Sequence, residues 1–383
     1  MNEISVLNNK IFRAELQLQR ERLGDHLCTW YSMATPREKT DDKKICLSKF
    51  PYYVGAIIEI LSRHHIVPKY WCWWGKLVAC DIVFSSKIAN DESKVIYVPI
   101  PCKRTIRKAK KKGKKVVLLL ANSEPRREYE RIVGEYDRYG IKNRYIYGDK
   151  QYQFSLVKTI PEADNYINIT EVSRKTYANA GYDMSKSKLI LDTGTNMPKQ
   201  LADDYQGKQK AFISTAFHSF IKGTHRLLLA WKKAGIKDIP LLLVGKMCED
   251  MQEFIDKNGP FENVVFVGHC ANLKDWYKQY DAMGVILSLS EGSGRVTPEM
   301  MSFGFPMIVS PDAVCDLIKE GYNGSIVEPT DEDAIAEKLR YYAEDWERVH
   351  AMRGNALNSL NRTVNDYAIE IADYLISLSG AEK

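Results

Sequence analysis

The chain has 383 residues, of which 45% are hydrophobic and 27% charged, with a net charge of +6. That is enough chain for two domains with separate cores, and the composition excludes a disordered or fibrous protein. No apolar run reaches the roughly 18 residues of a membrane-spanning helix, and MNEISVLNNKIFRAELQLQR lacks the basic-then-apolar order of a secretory signal.

Eight cysteines occur, with no CxxC pair and none at zinc spacing with histidine. Reduced core thiols and a cytoplasmic location are expected.

In chain order, the first sixty residues carry the weakest pattern, with HLCTWYSM and KKICLSKF as strand candidates. KVIYVPI and KKVVLLLA are short, apolar and β-branched, and predict buried strands. Between them, KRTIRKAKKKGKK (103–115) has nine Lys or Arg in thirteen positions and predicts a helix ended by Gly113. Two readings of its charge are open: a solvated helix end, or a face for an anionic partner such as a membrane surface or nucleic acid. The segment NSEPRREYERIVGEYDRYG predicts a helix capped by Ser123, with Pro125 in its first turn and Gly140 at its end. ADNYINI and KLILDTG are further strands, and EVSRKTYANAGY is a helix between them ended by Gly181.

The second half alternates more cleanly. QKAFISTA, PLLLVG, NVVFVG, GVILSLS, PMIVS and GSIVEP predict strands. IKGTHRLLLAWKKAG, EDMQEFIDKNG, LKDWYKQYDA, TPEMMSFG, AVCDLIKEG and one long segment, DEDAIAEKLRYYAEDWERVHAM, predict the intervening helices. Such alternation implies parallel sheets covered on both faces, with ligands at the carboxyl edge of the strands. The expected fold is therefore α/β, with two doubly wound Rossmann-like domains facing across a cleft. Their expected bounds are 1–192 and 193–350, with a change-over in the polar stretch 192–209. Residues 351–383 contain an amphipathic final helix.

The stretch EGSGRVTPE (291–299) follows a strand candidate and opens a helix candidate. Gly292 and Gly294 are expected to allow positive φ and close backbone approach. Thr297 is expected to cap the helix and Pro298 to lie in its first turn. Amides at such a corner attract an anion, and Glu291 and Glu299 can each accept two vicinal hydroxyls. A sugar nucleotide satisfies both needs. The bland alternative is a loop charge followed by a glutamate that favours any helix start.

In its context this stretch resembles the carboxyl-terminal half of the family 4 retaining glycosyltransferases, which have the GT-B fold. The shared set is Lys222-Gly223, the Glu291 and Glu299 pair with seven residues between, and Gly304-Phe305-Pro306, spread over roughly residues 190–345. The first half resembles that family only through KKVVLLLANSEP and ADNYINITEVSRKTYANAGY. The resemblance implies that Lys222 neutralises a donor diphosphate and Glu291 holds the transferred sugar. It places Gly292, Ser293, Gly294, Arg295 and Val296 along the phosphates, Glu299 on the ribose, and Gly268 and His269 beside the base. It also implies a final helix crossing back to the first domain, and no cofactor or metal beyond the donor.

Three departures stand out. The family's arginine before Lys-Gly is missing from STAFHSFI, leaving His218 or Arg295 to substitute, or His218 to pack or cap a helix. Asn122, Ser123 and Glu124 stand where the family has a histidine. Its first glycine-rich loop has only FPYYVGAI (50–57) as a nearest counterpart.

The expected function is retaining transfer from a nucleotide-diphosphate sugar, UDP-sugar favoured, to a glycan or lipid-linked saccharide. A hydroxylated DNA base as acceptor, and a non-catalytic sugar-nucleotide-binding subunit, are the alternatives. PKYWCWWGKL (68–77) has three tryptophans and a tyrosine within five positions. It is either core or a surface for sugars, bases or a membrane interface.

Overall fold

The computed structural model describes residues 3–8, 14–99, 102–201 and 203–380. The first lobe has seven strands: β1 Ile4–Asn8, β2 Leu27–Met33, β3 Ile45–Ser48, β4 Val95–Val98, β5 Lys115–Leu120, β6 Asn165–Asn168 and β7 Ser187–Leu189. All pair in parallel, in the order β3-β2-β1-β4-β5-β6-β7. Its helices are α1 Ala14–Leu23, α2 Phe50–Arg63, α3 Trp71–Lys87, α4 Lys103–Lys111, α5 Pro125–Tyr139, α6 Lys150–Thr159 and α7 Glu171–Asn179.

The second lobe has six parallel strands: β8 Gln209–Thr215, β9 Leu241–Val244, β10 Val264–Gly268, β11 Tyr280–Ile286, β12 Met307–Val309 and β13 Gly324–Ile326. Their order is β10-β9-β8-β11-β12-β13. Its helices are α8 Thr224–Ala234, α9 Glu249–Asn258, α10 Leu273–Tyr277, α11 Val296–Met301, α12 Glu332–Glu344 and α13 Glu347–Asn358, and α14 Val364–Ser379 closes the chain. In each sheet the strand order reverses beside the first strand, between β1 and β4 and between β8 and β11. That reversal opens a crevice at the carboxyl ends, where a ligand can enter.

Strand β1 lies inside the first sheet between β2 and β4, with Ile4, Val6 and Leu7 buried. The residues that follow, 9–13, lie outside the described residues and include no glycine. FPYYVGAI is not a glycine-rich loop. It forms the first half of α2, and Gly55 is small there because a Cβ would meet the Lys76 side chain at 2.0 Å.

Four other expectations change. LKDWYKQYDA divides into the five-residue α10 and the start of β11, whose Asp281 and Ala282 are buried beside β8. AVCDLIKEG is not a helix: Cys315 and Asp316 take positive φ, and Asp316, with Asp312 just before the segment, turns towards the first lobe. The long helix after residue 331 breaks at Asp345, where Trp346 turns inward and donates its indole N–H to Asp281 at 2.7 Å. Glu124, not Ser123, caps α5, accepting from the amides of Arg126 and Arg127.

The chain crosses between the lobes twice, and the two crossings touch. Thr195 N donates to Arg362 O at 3.3 Å, Arg362 donates to Leu191 O at 3.1 Å, and a Cβ on Gly194 would meet the Thr363 backbone at 2.3 Å. A capping box of Thr363 and Asp366 then starts α14. Its apolar stripe, Ile371, Ala372 and Leu375, joins Ile4, Val6, Leu23 and Val95 in the first lobe's core. Among the described residues, no helix is long and apolar enough to cross a membrane, and all eight cysteines are free.

Helix α5 binds the lobes side to side. Its Ile132 and Tyr136 belong to the core of the second lobe, and Tyr136 stacks on Phe220 at 4.4 Å. Around this contact run ion pairs between the lobes. Arg127 and Arg131 both bind the buried Asp312, at 2.7 Å each, and Glu135 holds His225 at 2.7 Å and Arg226 at 2.5 Å.

Candidate active site

The corner forms where two loops leave the second sheet at its point of reversal. After β8, a tight turn over Phe220–Lys222 ends in Gly223 with φ 66°. A Cβ there would lie 2.0 Å from Leu287 O, so only glycine lets this turn approach the exit of β11. The amide of Leu289 then donates to Ile221 O at 2.8 Å, sewing the two loops together. The result is Lys222 Nζ 2.5 Å from Glu291 Oε2, which also accepts from Ser288 Oγ at 2.9 Å. Two residues 69 apart in sequence thus face each other at the crevice, each largely withdrawn from water.

The glycines of the turn serve contact, not dihedral freedom. Neither Gly292 nor Gly294 has positive φ. A Cβ on Gly292 would lie 2.1 Å from Ala121 O, at the end of β5 in the first lobe. One on Gly294 would lie 3.0 Å from the Cys315 thiol, which accepts the Gly294 amide at 3.1 Å. Helix α11 begins at Val296, and Pro298 falls in its first turn. Thr297 is not the cap, because its hydroxyl points to Ala313 O.

The side chain of Arg295 does not stand free for a second diphosphate contact. It forks onto Asp192 at 3.1–3.3 Å and lies 3.6 Å from Glu15, both outside the second sheet. The Ser293 hydroxyl also donates to Asp192, at 2.8 Å. These side chains tie the corner to the crossing segment, and neither side chain is left for a ligand. His218 supplies no charge either. It is fully buried with Nδ1 3.1 Å from Thr224 Oγ1, and burial pushes the imidazole down to about 4, so it is neutral near pH 7. Glu299 has no hydrogen bond or ion pair to its carboxylate among the described residues. Burial raises its pKa against the pull of Arg295. An unsatisfied, half-buried carboxylate is suited to accepting a ligand's hydroxyls.

Beside the corner, a cavity of about 410 Å³ opens at the carboxyl ends of β8, β9 and β10. It is lined by His218, Gly268 and His269, together with Lys246, Met247 and Phe266. Lys246 and Phe266 were not singled out in the sequence: a lysine after a strand reads as solvated, and Phe266 sits within an apolar run. Here Phe266 is 46% exposed on the edge strand, and offers a ring face to a planar ligand.

From the first lobe, Glu128 enters the seam. Ser290 Oγ donates to it at 2.8 Å and Gln153 Nε2 at 2.9 Å. Burial pushes its carboxyl up to about 7, more than these two hydrogen bonds lower it. In the folded state it therefore holds its proton where the unfolded chain has lost it. That contribution is full below about pH 4.5 and declines as pH rises to about 7, a loss of roughly 3 kcal/mol. Glu128→Gln is expected to flatten urea-measured stability across that window and to be the more stable form above pH 7. An unchanged pH profile would remove Glu128 as its source.

Two parallel sheets so arranged, with the crossing last helix, are the GT-B fold. Residues 199–359, the second lobe, match the family described as Glycosyl transferases group 1. The lipopolysaccharide core biosynthesis mannosyltransferase LpsB of Rhizobium meliloti (strain 1021) is 29% identical over 124 residues, 32% of this chain and 34% of that protein. This match thus spans about a third of the curated relative's length. Among solved structures, Anabaena Alr3699/HepE in complex with UDP superposes with a TM-score of 0.64 at 17% identity, over 98% of this chain and 100% of that one. Sucrose-phosphate synthase (tll1590) from Thermosynechococcus elongatus gives 0.71 at 16% identity over the whole of both chains.

Proposed function

We propose that the chain is a retaining glycosyltransferase of the family 4 kind. It moves a sugar from a nucleotide-diphosphate donor, a UDP-sugar in preference, to a glycan or lipid-linked saccharide. The observation that carries this reading is the Lys222–Glu291 pair at the reversal of the second sheet, next to a base-sized cavity. A uridine donor is favoured because the Anabaena protein of the same fold has been solved with UDP and with UDP-glucose.

In this scheme the base lies against Phe266, Gly268 and His269, and the ribose hydroxyls meet Glu299. Lys222 exchanges Glu291 for the diphosphate, and Glu291, so released, holds hydroxyls of the sugar. The bond from the anomeric carbon to the phosphate oxygen breaks first, and its electron pair leaves with the diphosphate. The acceptor hydroxyl adds from the same face, and its proton passes to the departing phosphate oxygen. Lys222 and the backbone of residues 292–296 stabilise the charge that develops. The scheme uses no metal ion.

The test is a panel of UDP-, GDP- and ADP-sugars. A donor that binds the folded state raises the melting temperature, by ligand linkage, before any acceptor is known. A rise with a UDP-sugar, lost in Lys222→Ala, is expected. No rise with any donor at millimolar concentration would refute the reading.

A further inference from the structure

Helix α2 is apolar over most of its surface, yet buries only Pro51 and Gly55. A helix hydrophobic on all sides belongs inside something, and the described chain does not cover it. It packs along α3, where Trp71 and Trp74 meet edge to face at 5.8 Å and a Cβ on Gly75 would meet Ile58 at 2.1 Å. Elsewhere α3 is anchored in the first lobe through Leu77, Cys80 and Phe84. The hairpin is therefore held firmly while its outer face stays open. Of the sixteen large hydrophobic side chains exposed among the described residues, nine fall between Phe50 and Ile82. Ile57, Ile60 and Ile66 are each more than half exposed, and Phe50, Tyr53 and Trp73 stand with them. Between the two helices runs an apolar groove of about 290 Å³. Concentration on this scale marks an interaction surface.

The charges around it identify the partner. Residues 49–87 contain five Lys or Arg and two carboxylates. Both carboxylates are occupied: Glu59 binds Arg63 at 2.9 Å, and Asp81 accepts the Arg104 and Thr105 amides at the start of α4. Helix α4 packs beside α3 and, with Lys112 at its C-terminal cap, adds Lys103, Arg104, Lys108 and Lys111. Among the described residues, none of these five side chains pairs with an acid, whereas Arg107 and Lys110 bind Glu162 and Asp164.

We propose that the α2–α3 hairpin docks on the anionic surface of a lipid bilayer. The isoleucines and aromatic rings enter the interfacial layer, the groove takes an acyl chain, and the free cations of α4 meet the head groups. Aromatic side chains favour that interface, a helix lying in its plane buries one apolar face, and basic groups near an anionic leaflet add attraction. The proposal is independent of the glycosyltransferase reading.

The full chain is incubated with phosphatidylcholine vesicles, with and without phosphatidylglycerol, and the bound fraction is measured by sedimentation. Binding to the anionic vesicles is expected, with a blue shift in tryptophan emission and weakening by salt. Ile57→Glu with Ile60→Glu is expected to weaken binding about tenfold or more. Each of K103Q, K108Q and K111Q should weaken it roughly fivefold. Since Ile57, Ile60, Lys108 and Lys111 are exposed and Lys103 is partly so, the variants should melt as the parent does. No binding to anionic vesicles overturns the proposal, as does equal binding by the Ile57→Glu, Ile60→Glu form. Self-association that this double variant abolishes, without vesicle binding, would assign the face to a second copy instead.

Discussion

Replacing Lys222 with alanine is expected to lower turnover by about 10²–10³-fold while leaving the melting temperature nearly unchanged. The side chain lies at the crevice and, among the described residues, its ammonium binds Glu291 alone, so its loss removes no buried ion pair of the core. What it removes is the positive charge nearest to the proposed leaving diphosphate, and a single preorganised electrostatic contact is worth that factor. Glu291→Ala is expected to be comparably damaging for a different reason. It takes away the hydroxyl acceptor and leaves Lys222 without its resting partner. Transfer assayed by nucleoside diphosphate release distinguishes these effects from unfolding, which far-UV dichroism reports. Turnover within a few-fold of the parent in both variants would remove the pair from the chemistry.

The largest effect on stability should come from the seam between the lobes. Arg226 on α8 is buried and held by Glu135 of α5, with Glu332 as a second partner at 2.6 Å. Removing one member of such a cluster strands the other charge without water, at a cost of about 3–5 kcal/mol. Arg226→Ala and Glu135→Ala should each lose that amount in urea unfolding, and the double change Glu135→Met with Arg226→Met should lose less than either. Burial opposes ionisation of Glu135, but hydrogen bonds from His225 and Arg226 outweigh it and hold its carboxyl at about 2. Its folded value lies below its unfolded one, so the stability it adds is present above about pH 4.5 and lost as pH falls towards 2. A loss below 1 kcal/mol in either single variant would show that the lobes do not depend on this contact.

The second lobe was largely legible in the sequence because its strands are continuous apolar runs separated by helices with glycine ends. The first lobe was less so. Its interior strand ISVLN is five residues long near the start of the chain, and α6 has too mixed a pattern to declare itself. AVCDLIKEG carries helical spacing, but Asp312 and Asp316 bind groups more than 140 residues away, and that tertiary pull opens the segment.

At the site, the sequence suggested Lys222, Glu291 and the corner, which the fold brings together. It misjudged the reason for Gly292, which is the carbonyl of Ala121 from the other lobe. It also could not reveal that Asp192 and Glu15 occupy Arg295, since such partners are visible only after folding. Of the three tryptophans of PKYWCWWGKL, Trp73 is exposed, Trp71 lines the groove, and Trp74 both lines it and packs against Leu77, Ile146 and Tyr152. The segment is thus partly core and partly surface, on the first turn of α3.

The central claim is that the corner at Lys222 receives a diphosphate. Crystals grown with the donor that raises the melting temperature test it most directly. The account predicts difference density for the two phosphates within hydrogen-bonding distance of Lys222 Nζ and the amides of residues 292–296, with the base against Phe266. Density for the donor elsewhere, with Lys222 still bound to Glu291, would contradict it.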